Sequence, residues 1–180
     1  MADATPNLDH VGDVVGALTK DGFQPVLVGG MALVILGSPR ITRDFDFVIA
    51  APGNRLTQLV EVFYARGFEL VSRLNDDGLV TATIDNPQVA AIRIRLDGPD
   101  SVFFFHRRTR LRIDLLFDFP VTAAKLVEQA IPIKVRSHVF TVASEDDLLH
   151  LKQIARAGRN FAGDAADIEF LEARRQRARR

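Results

Sequence analysis

Two segments of the sequence give the clearest indication of the fold: Pro25-Val-Leu-Val-Gly-Gly-Met-Ala-Leu-Val-Ile-Leu36 and Asp44-Phe-Asp-Phe-Val-Ile49. In the earlier segment a short apolar run leads through Gly29-Gly30 into helix-like residues, which predicts a strand, a glycine turn and a short helix. The later segment alternates carboxylate with apolar side chains and then becomes fully apolar, as a strand with one solvated end does. Because side chains alternate across a strand, Asp44 and Asp46 are expected on one face and the phenylalanines on the other.

Taken separately, the acidic pair and the glycine turn are weak indications of function. Two neighbouring carboxylates repel each other, and their oxygens suit Mg²⁺ or Mn²⁺, but short acidic pairs are also common at solvated strand ends. A glycine turn between a strand and a helix exposes backbone N–H groups that can receive phosphate oxygens, but it more often serves turn geometry alone. A functional site is therefore predicted only if further residues join these two features.

A third carboxylate, Asp114, lies in the middle of the predicted strand 111–117, on the polar face that also carries Arg112. A charged residue in an apolar strand needs a partner, and three remain open: Arg112, an arginine of a neighbouring strand, or a metal ion. Three carboxylates and a triphosphate carry more negative charge than two Mg²⁺ ions balance, so basic side chains should contribute. The candidates are Arg40, Arg43, Arg93 and Arg95.

The rest of the chain predicts helices interleaved with a mixed sheet, which places the fold in the α/β or α+β class. Apolar spacing predicts helices over 8–18 and 54–66 and strands over 68–71, 79–84, 90–96 and 111–117. A helix over 120–129, a hairpin over 133–142 and a capped helix after Ser144 follow. We expect residues 1–143 to form the core, and residues 144–180 to form C-terminal helices that pack on it and end in a basic tail.

The composition excludes several kinds of site. Cysteine is absent from the 180 residues, which excludes disulfides, thiolate zinc sites and thiol nucleophiles. Lys and Arg number 23, as do Asp and Glu, so no net charge attracts nucleic acid or an anionic membrane. RNA binding would depend on local patches: the arginine-rich run 174–180, or Phe103-Phe-Phe105 with the following His106-Arg-Arg108, which a core strand explains equally well. No signal sequence or membrane-spanning apolar run occurs, so a soluble, cytoplasmic protein without membrane contact is expected.

Together these segments resemble the DNA-polymerase-β-like nucleotidyltransferase superfamily. The glycine pair in Val28-Gly-Gly-Met-Ala, the double aspartate in Pro39-Arg-Ile-Thr-Arg-Asp-Phe-Asp-Phe and the third aspartate in Arg112-Ile-Asp-Leu follow the order typical of that superfamily. Farther on, Asp147-Leu-Leu-His-Leu-Lys152, Arg159 and Asp164-Ala-Ala-Asp167 resemble the helical end of the AbiEii-like branch of abortive-infection toxins. The resemblance covers about residues 25–171 and implies a nucleotidyltransferase fold with a mixed β-sheet flanked by helices.

The resemblance also implies a role for each matched residue. The implied nucleotide-binding residues are Gly29, Gly30, Arg43, Lys152 and Asp167, and the implied metal ligands and catalytic residues are Asp44, Asp46 and Asp114. The metal would be Mg²⁺ or Mn²⁺, and the nucleotide an NTP. Asp114 would either bind the metal or act as the base that activates the attacking hydroxyl. Lys152 would meet phosphate, positioned by Asp167 or by Asp164.

The expected activity is transfer of a nucleoside monophosphate from an NTP to a hydroxyl or phosphate acceptor. Resemblance to the AbiEii-like branch favours a macromolecular acceptor, such as tRNA or a protein, and a cognate antitoxin as partner. A small-molecule acceptor of the aminoglycoside type is a second possibility. Gly30 stands where many active members have serine, which leaves open a third: an inactive module that binds a nucleotide or a protein partner.

Overall fold

The computed structural model describes residues 5–158 and 162–178 of the chain. Its strands are β1 (Val26–Val28), β2 (Phe45–Ile49), β3 (Phe68–Leu74), β4 (Val80–Ile84), β5 (Ser101–His106), β6 (Leu111–Phe117), β7 (Ile131–Val135) and β8 (His138–Val142). Within the described ranges they form one mixed sheet in the order β4-β3-β5-β6-β2-β1-β8-β7. At its centre β2 pairs with β6 in parallel and with β1 in antiparallel orientation. The predicted mixed sheet with flanking helices is confirmed.

Helices cover the sheet in two groups. They are α1 (Thr5–Lys20), α2 (Gly29–Ile35), α3 (Leu56–Tyr64), α4 (Pro87–Asp97), α5 (Ala123–Val127), α6 (Glu145–Gly158) and α7 (Ala162–Ala178), with a 3-10 turn at Gly53–Arg55. Helix α3 contacts both α1 and α4, while α6 contacts both α7 and α2. Leu149 of α6 and Leu171 of α7 are buried in the same core as the sheet. In the part of the chain that the structure describes, no helix is long and apolar enough to cross a membrane.

Aromatic side chains build the centre of the core. Phe45 and Phe47 of β2 are each 1% exposed, so the residues that alternate with the two aspartates are buried as predicted. On α3, Phe63 is fully buried and stacks on Phe104 of β5, with 4.0 Å between the ring centroids. Burying a side chain of this size stabilises the fold by about 1.5–3 kcal/mol relative to leaving it exposed. This packing fixes β2 in the sheet and so fixes the opposite, polar face of the strand.

The register of the central strands determines which polar residues meet. In the parallel β2–β6 pair, Asp46 lies directly opposite Asp114. In the antiparallel β1–β2 pair, Val28, which precedes the glycine turn, lies opposite Asp46. A shift of one residue would turn these side chains to the other face of the sheet. The pairing therefore brings the glycine turn and two of the acids to one place.

One predicted strand is wrong. Residues 90–96 belong to helix α4. The alternation of isoleucine and arginine in 92–96 resembles that of a strand, and this caused the wrong prediction. The helix forms because the Asn86 side chain caps it by accepting a hydrogen bond from the Val89 N–H, and Pro87 opens its first turn. Gly98 then closes it in the left-handed conformation. Asn86-Pro87 and Gly98 are the signals in the sequence that identify this helix.

The other predicted elements agree with the structure in type, with shifted bounds. The helix predicted over 120–129 is shorter, Ala123–Val127, because its capping residue is Thr122. Phe103-Phe-Phe105 lies in β5 with its middle ring fully buried, so the core-strand alternative is correct. The hairpin predicted over 133–142 is formed by β7 and β8. Ser144 caps α6 by accepting a hydrogen bond from the Asp147 N–H, as the capping motif predicts.

Candidate active site

Three carboxylates share the polar side of β2 and β6, and Arg112 contacts two of them. Asp44 lies one residue before β2, Asp46 lies within it, and Asp114 lies opposite in β6. Arg112 Nε lies 2.9 Å from Asp114 Oδ1, and Arg112 Nη2 lies 3.4 Å from Asp44 Oδ2. The guanidinium also lies 5.0 Å from the ring centroid of Phe103, which holds it against the sheet. Of the partners left open for Asp114, the structure shows Arg112; these three acids and Arg112 are called the strand wall.

The Asp114 carboxyl is strongly perturbed. It is 7% exposed, and its pKa is raised to about 8, chiefly by burial and next by the Asp46 carboxylate, with a further contribution from Asp44. Arg112 lowers the pKa but does not offset these effects. Asp114 Oδ1 and Arg112 Nε are buried without a hydrogen bond to any described residue, because their close contact lacks hydrogen-bond geometry. Burial and the neighbouring carboxylates therefore outweigh Arg112 at Asp114.

The strand wall fits a divalent cation by its chemistry, although its side chains are not yet arranged around one. Carboxylate oxygens are the usual ligands of Mg²⁺ and Mn²⁺, and a cation here would relieve the repulsion between the acids. In the described ranges, no three His, Cys, Asp or Glu side chains are already arranged to hold a metal ion. Arg112 lies between two of the acids, since its guanidinium contacts both Asp44 and Asp114. The Asp44 side chain is 51% exposed and can rotate without unpacking the core. The present side-chain arrangement therefore does not prevent the acids from fitting a divalent cation.

The glycine turn brings the backbone close to the strand wall. Gly29 has φ +68°, a left-handed conformation that favours glycine, and a Cβ atom there would lie 2.1 Å from Asp46 Oδ2. Gly30 has no such φ, but a Cβ atom there would lie 2.8 Å from Arg40 Cζ. The N-terminus of α2, which begins at Gly29, has no side-chain cap hydrogen bond. Side chains at either glycine would therefore collide with charged groups beside the turn.

A buried ion-pair cluster contributes to the same region from α6, α7 and the loop before β2. Its members are Arg40, Lys152, Asp164 and Asp167, called the helix wall. Lys152 Nζ lies 3.2 Å from Asp164 Oδ1 and 2.7 Å from Asp167 Oδ2, and Arg40 Nη1 donates to that same Asp167 oxygen. Asp164 is completely buried, Asp167 is 3% exposed and Lys152 is 8% exposed. The two aspartates that the sequence offered as alternatives thus both hold Lys152.

The two walls line one cleft of about 640 Å³, a volume typical of small-molecule sites. The charged residues that line it are Asp44, Asp46, Arg112, Asp114, Arg40 and Lys152, and both glycines of the turn, Gly29 and Gly30, line it as well. Asp167 is buried and touches the cleft through its two basic partners. Arg43 is exposed and is not among the described residues that line the cleft. The structure therefore brings together all predicted site residues except Arg43.

An apolar surface completes the cleft and was not predicted from the sequence. It is formed by Leu148, Leu151 and Ile154 of α6, together with Leu116 and Phe119. Phe119 is 46% exposed and Ile154 is 37% exposed, so part of this surface is open to a ligand. The spacing of the α6 residues predicts an amphipathic helix, but spacing alone does not distinguish a core face from a cleft face.

Two of the other basic candidates lie outside the cleft. Arg93 pairs with Asp97 on the exposed side of α4 and lines a separate hollow of about 490 Å³, which contains none of the three acids. Arg95 is exposed on the same helix. Their predicted contribution depended on the strand assignment of residues 90–96 and is wrong for the same reason.

The arginine-rich C-terminal run is partly used within the fold. Arg174 donates to Glu145 Oε1 at 2.8 Å and to the Leu36 carbonyl at 2.8 Å. Arg175 Nε lies 3.3 Å from Asp146 Oδ1. These contacts join α7 to the N-terminus of α6, so two arginines of the predicted RNA-binding patch already have structural partners. Residues 159 and 179–180 of the sequence predictions lie outside the described ranges.

The fold is similar to that of solved nucleotidyltransferase structures. The antibiotic-resistance factor ANT(2'')-Ia has a TM-score of 0.60 at 10% identity, over 93% of this chain and 83% of its own. The lincosamide antibiotic adenylyltransferase LnuA, solved with lincomycin bound, has a TM-score of 0.57 at 11% identity, over 91% of this chain and 95% of its own. An antigenic nucleotidyltransferase-like protein from Paracoccidioides brasiliensis has a TM-score of 0.57 at 18% identity, over 90% and 74%. This similarity establishes the nucleotidyltransferase fold.

Sequence comparison adds no closer assignment. No protein-family model and no curated protein sequence matches the chain. The assignment to the AbiEii-like branch stays a prediction, because the structures with the same fold do not test it.

Proposed function

We propose that this chain is a metal-dependent nucleotidyltransferase, which transfers a nucleoside monophosphate from an NTP to a hydroxyl or phosphate acceptor. The observation that carries the proposal is the register of β2 and β6, which sets Asp46 opposite Asp114 beside the glycine turn. The strand wall sets three carboxylates close together, and a bound cation would relieve the repulsion that Arg112 does not offset at Asp114. A cleft with such a wall and a lysine in its lining suits a polyanion together with a divalent cation.

The strand wall would perform the chemistry. Asp44, Asp46 and Asp114 would hold Mg²⁺ or Mn²⁺, which when bound neutralises negative charge between the acids and the phosphates. In the transfer, the acceptor oxygen forms a bond to the α-phosphorus, the bond from that phosphorus to the bridging oxygen breaks, and pyrophosphate leaves. The proton of a hydroxyl acceptor passes to a carboxylate of the strand wall, for which Asp114 is the candidate.

The helix wall and the glycine turn would place the triphosphate. Lys152 lines the cleft as a positive charge, and Asp164 and Asp167 keep its ammonium group in position. Gly29 leaves the backbone open beside Asp46. Arg43 is exposed outside the cleft, so its contribution would be limited to long-range attraction, which salt screens.

We propose a small hydroxyl compound as the acceptor. Two structures with this fold are described as antibiotic adenylyltransferase or resistance proteins, and one of them, ANT(2'')-Ia, was solved with adenylyl-2''-tobramycin. The cleft is of small-molecule size, and its apolar surface would pack against the acceptor or the nucleobase. A macromolecular acceptor such as tRNA or a protein, with a cognate antitoxin, is the alternative from the AbiEii-like resemblance. The internal ion pairs of Arg174 and Arg175 weaken its RNA form.

An inactive module that binds a nucleotide or a partner is the second candidate function. Arg112 favours it, because this arginine already bridges two of the three acids. If Arg112 stays in place when a nucleotide binds, the carboxylates have no room to hold a metal ion in common. Nucleotide binding would then depend on the helix wall and would not require Mg²⁺.

The proposal is tested by incubating the chain with each α-labelled NTP and Mg²⁺, in separate reactions with aminoglycosides, lincosamides and total RNA. We expect label in a small-molecule product and none when EDTA removes the metal. Asp44→Ala should abolish transfer, whereas Asp76→Ala, which removes an exposed acid of the β3–β4 turn, should leave it unchanged.

Each alternative predicts a different result, in the same assay or, for the inactive module, in calorimetry with each NTP. Label found only in RNA would assign a macromolecular acceptor. Metal-independent NTP binding without transfer to any acceptor would favour the inactive module. Full transfer by Asp44→Ala would remove this acid from the catalytic set.

A further inference from the structure

Gly30 is a glycine for which the backbone gives no reason. Unlike Gly29, it has no positive φ, and it lies inside helix α2, where alanine is normally the better residue. The space around it supplies the reason. A Cβ atom at residue 30 would lie 2.8 Å from Arg40 Cζ, 3.0 Å from Arg40 Nη2 and 3.1 Å from Arg40 Nε, so the guanidinium occupies the position that any side chain would need.

The guanidinium of Arg40 is held in this position by a buried carboxylate. Its Nη1 donates to Asp167 Oδ2, and the Asp167 side chain is only 4% exposed. The same carboxylate oxygen also lies 2.7 Å from Lys152 Nζ. Asp167 therefore positions two cations at once, one from the loop before β2 and one from α6.

The position of Arg40 suits a ligand that carries several negative charges. Its side chain is 25% exposed and lines the cleft together with Lys152 and the glycine turn. A guanidinium has five N–H donors in a planar fork, and the bond to Asp167 uses one of them, Nη1. Such a fork matches two oxygens of one phosphate group better than an ammonium does.

We propose that Arg40 binds the phosphate chain of the nucleotide, that Asp167 positions its guanidinium, and that Gly30 is glycine because a side chain there would displace it. This inference rests on the proposed function for the identity of the ligand. It adds a phosphate-binding residue to the cleft and assigns Gly30 a specific task, that of leaving room for Arg40.

The test is a double-mutant cycle on the full chain, with inorganic tripolyphosphate as the probe, measured by titration calorimetry with and without Mg²⁺. Arg40→Gln should weaken binding about tenfold or more, because a charge-assisted hydrogen bond is lost. Gly30→Ala should weaken binding by a similar factor, since Arg40 must move. In the Arg40→Gln background, Gly30→Ala should change the affinity less than about twofold, because both substitutions act on one contact. Arg73→Gln, which removes an exposed arginine of β3 that does not line the cleft, is the matched control and should bind as the unaltered chain does.

The outcomes separate this inference from the proposed function. The role of Arg40 would be overturned if Arg40→Gln bound tripolyphosphate as the unaltered chain does. It would also be overturned if the fold-changes in affinity of the two single variants multiplied in the double variant. Neither result would affect the proposed enzyme activity. If the unaltered chain transfers no label but binds tripolyphosphate in a way that depends on Arg40, the proposed enzyme activity would be overturned and the phosphate site supported. If Arg40→Gln fails to fold, Gly30→Ala still decides, because alanine favours the helix and should not unfold it; unchanged binding by Gly30→Ala would overturn the inference.

Discussion

The strand wall and the helix wall of the cleft contain similar charged groups but compensate them differently. The strand wall sets three carboxylates against Arg112, and burial together with repulsion from Asp46 raises the pKa of Asp114 to about 8. The helix wall sets Arg40 and Lys152 against two aspartates, with the lysine 2.7 Å and 3.2 Å from their oxygens. The helix wall thus pairs its acids with two cations, whereas on the strand wall burial and repulsion at Asp114 outweigh the compensation by Arg112.

This difference shows that the same substitution, an acid exchanged for a neutral residue, has opposite meanings in the two walls. On the helix wall it leaves a buried cation with too little negative charge, which costs stability. On the strand wall it relieves repulsion between neighbouring carboxylates, and under the proposed function it would weaken the binding of a metal ion instead. The helix wall should therefore matter first for folding, and the strand wall first for chemistry.

The largest effect is expected for Asp46→Asn, measured as the rate of label transfer. Loss of this carboxylate should lower the rate by about a thousandfold or more, since stabilisation by a bound metal is worth several kcal/mol. The free energy of unfolding without metal should fall much less than in Asp164→Ala, because the substitution removes the repulsion by which Asp46 raises the pKa of Asp114. A loss of stability as large as that of Asp164→Ala would contradict the contrast between the two walls.

The next largest effect is expected for Asp164→Ala, measured as the free energy of unfolding in urea. Asp164 is completely buried against Lys152, so its removal should cost about 3–5 kcal/mol. The control is Asp97→Ala, which removes the acid of the exposed pair with Arg93 and should cost less than about 0.5 kcal/mol. Equal costs for the two variants would show that the helix wall is not the buried, mutually compensated cluster described here.

A smaller effect is expected where the glycine turn meets the strand wall. Gly29→Ala forces a left-handed conformation on alanine and brings its Cβ atom against Asp46, which should cost about 1–3 kcal/mol. Gly16→Ala is the control, because Gly16 lies in α1 with open space around its Cβ position and should gain up to about 1 kcal/mol from helix propensity. Thermal unfolding of the two variants gives the comparison, and a neutral Gly29→Ala would show that the turn has room for a side chain.

The sequence predicts the strand wall better than the helix wall, for a physical reason. The alternation of side chains along a strand is local, so the common face of Asp44 and Asp46 and the polar position of Asp114 follow from a few residues. The parallel pairing that sets Asp46 opposite Asp114 joins segments far apart in the chain, and no local sequence pattern predicts it. The contact between Arg112 and Asp114 also required coordinates.

The helix wall depends on contacts between distant segments. Arg40 and Asp167 are far apart in the chain, and no period or cap in the sequence indicates that they meet. The contact of Arg40 with the space beside Gly30 is equally hidden, because a Gly-Gly pair reads as a turn. Helix α4 differs from its prediction for another reason: the period-two alternation of its residues indicates a strand, although the capping residues at both ends indicate a helix.

The smallest effect is a pH dependence that belongs to the strand wall alone. In metal-free protein, Asp114 keeps its proton up to about pH 8, whereas the unfolded chain loses it near the ordinary value of 3.8. Between these values the native state binds more protons, so the free energy of unfolding falls as pH rises, by about 1 kcal/mol from pH 6 to pH 7 relative to Asp114→Asn. Urea unfolding of both chains in EDTA gives this difference. Addition of Mg²⁺ should reduce the pH dependence of the free energy of unfolding in the unaltered chain and leave that of Asp114→Asn unchanged. Parallel pH profiles in EDTA would mean that Arg112 compensates the acids fully, and the contrast between the two walls would disappear.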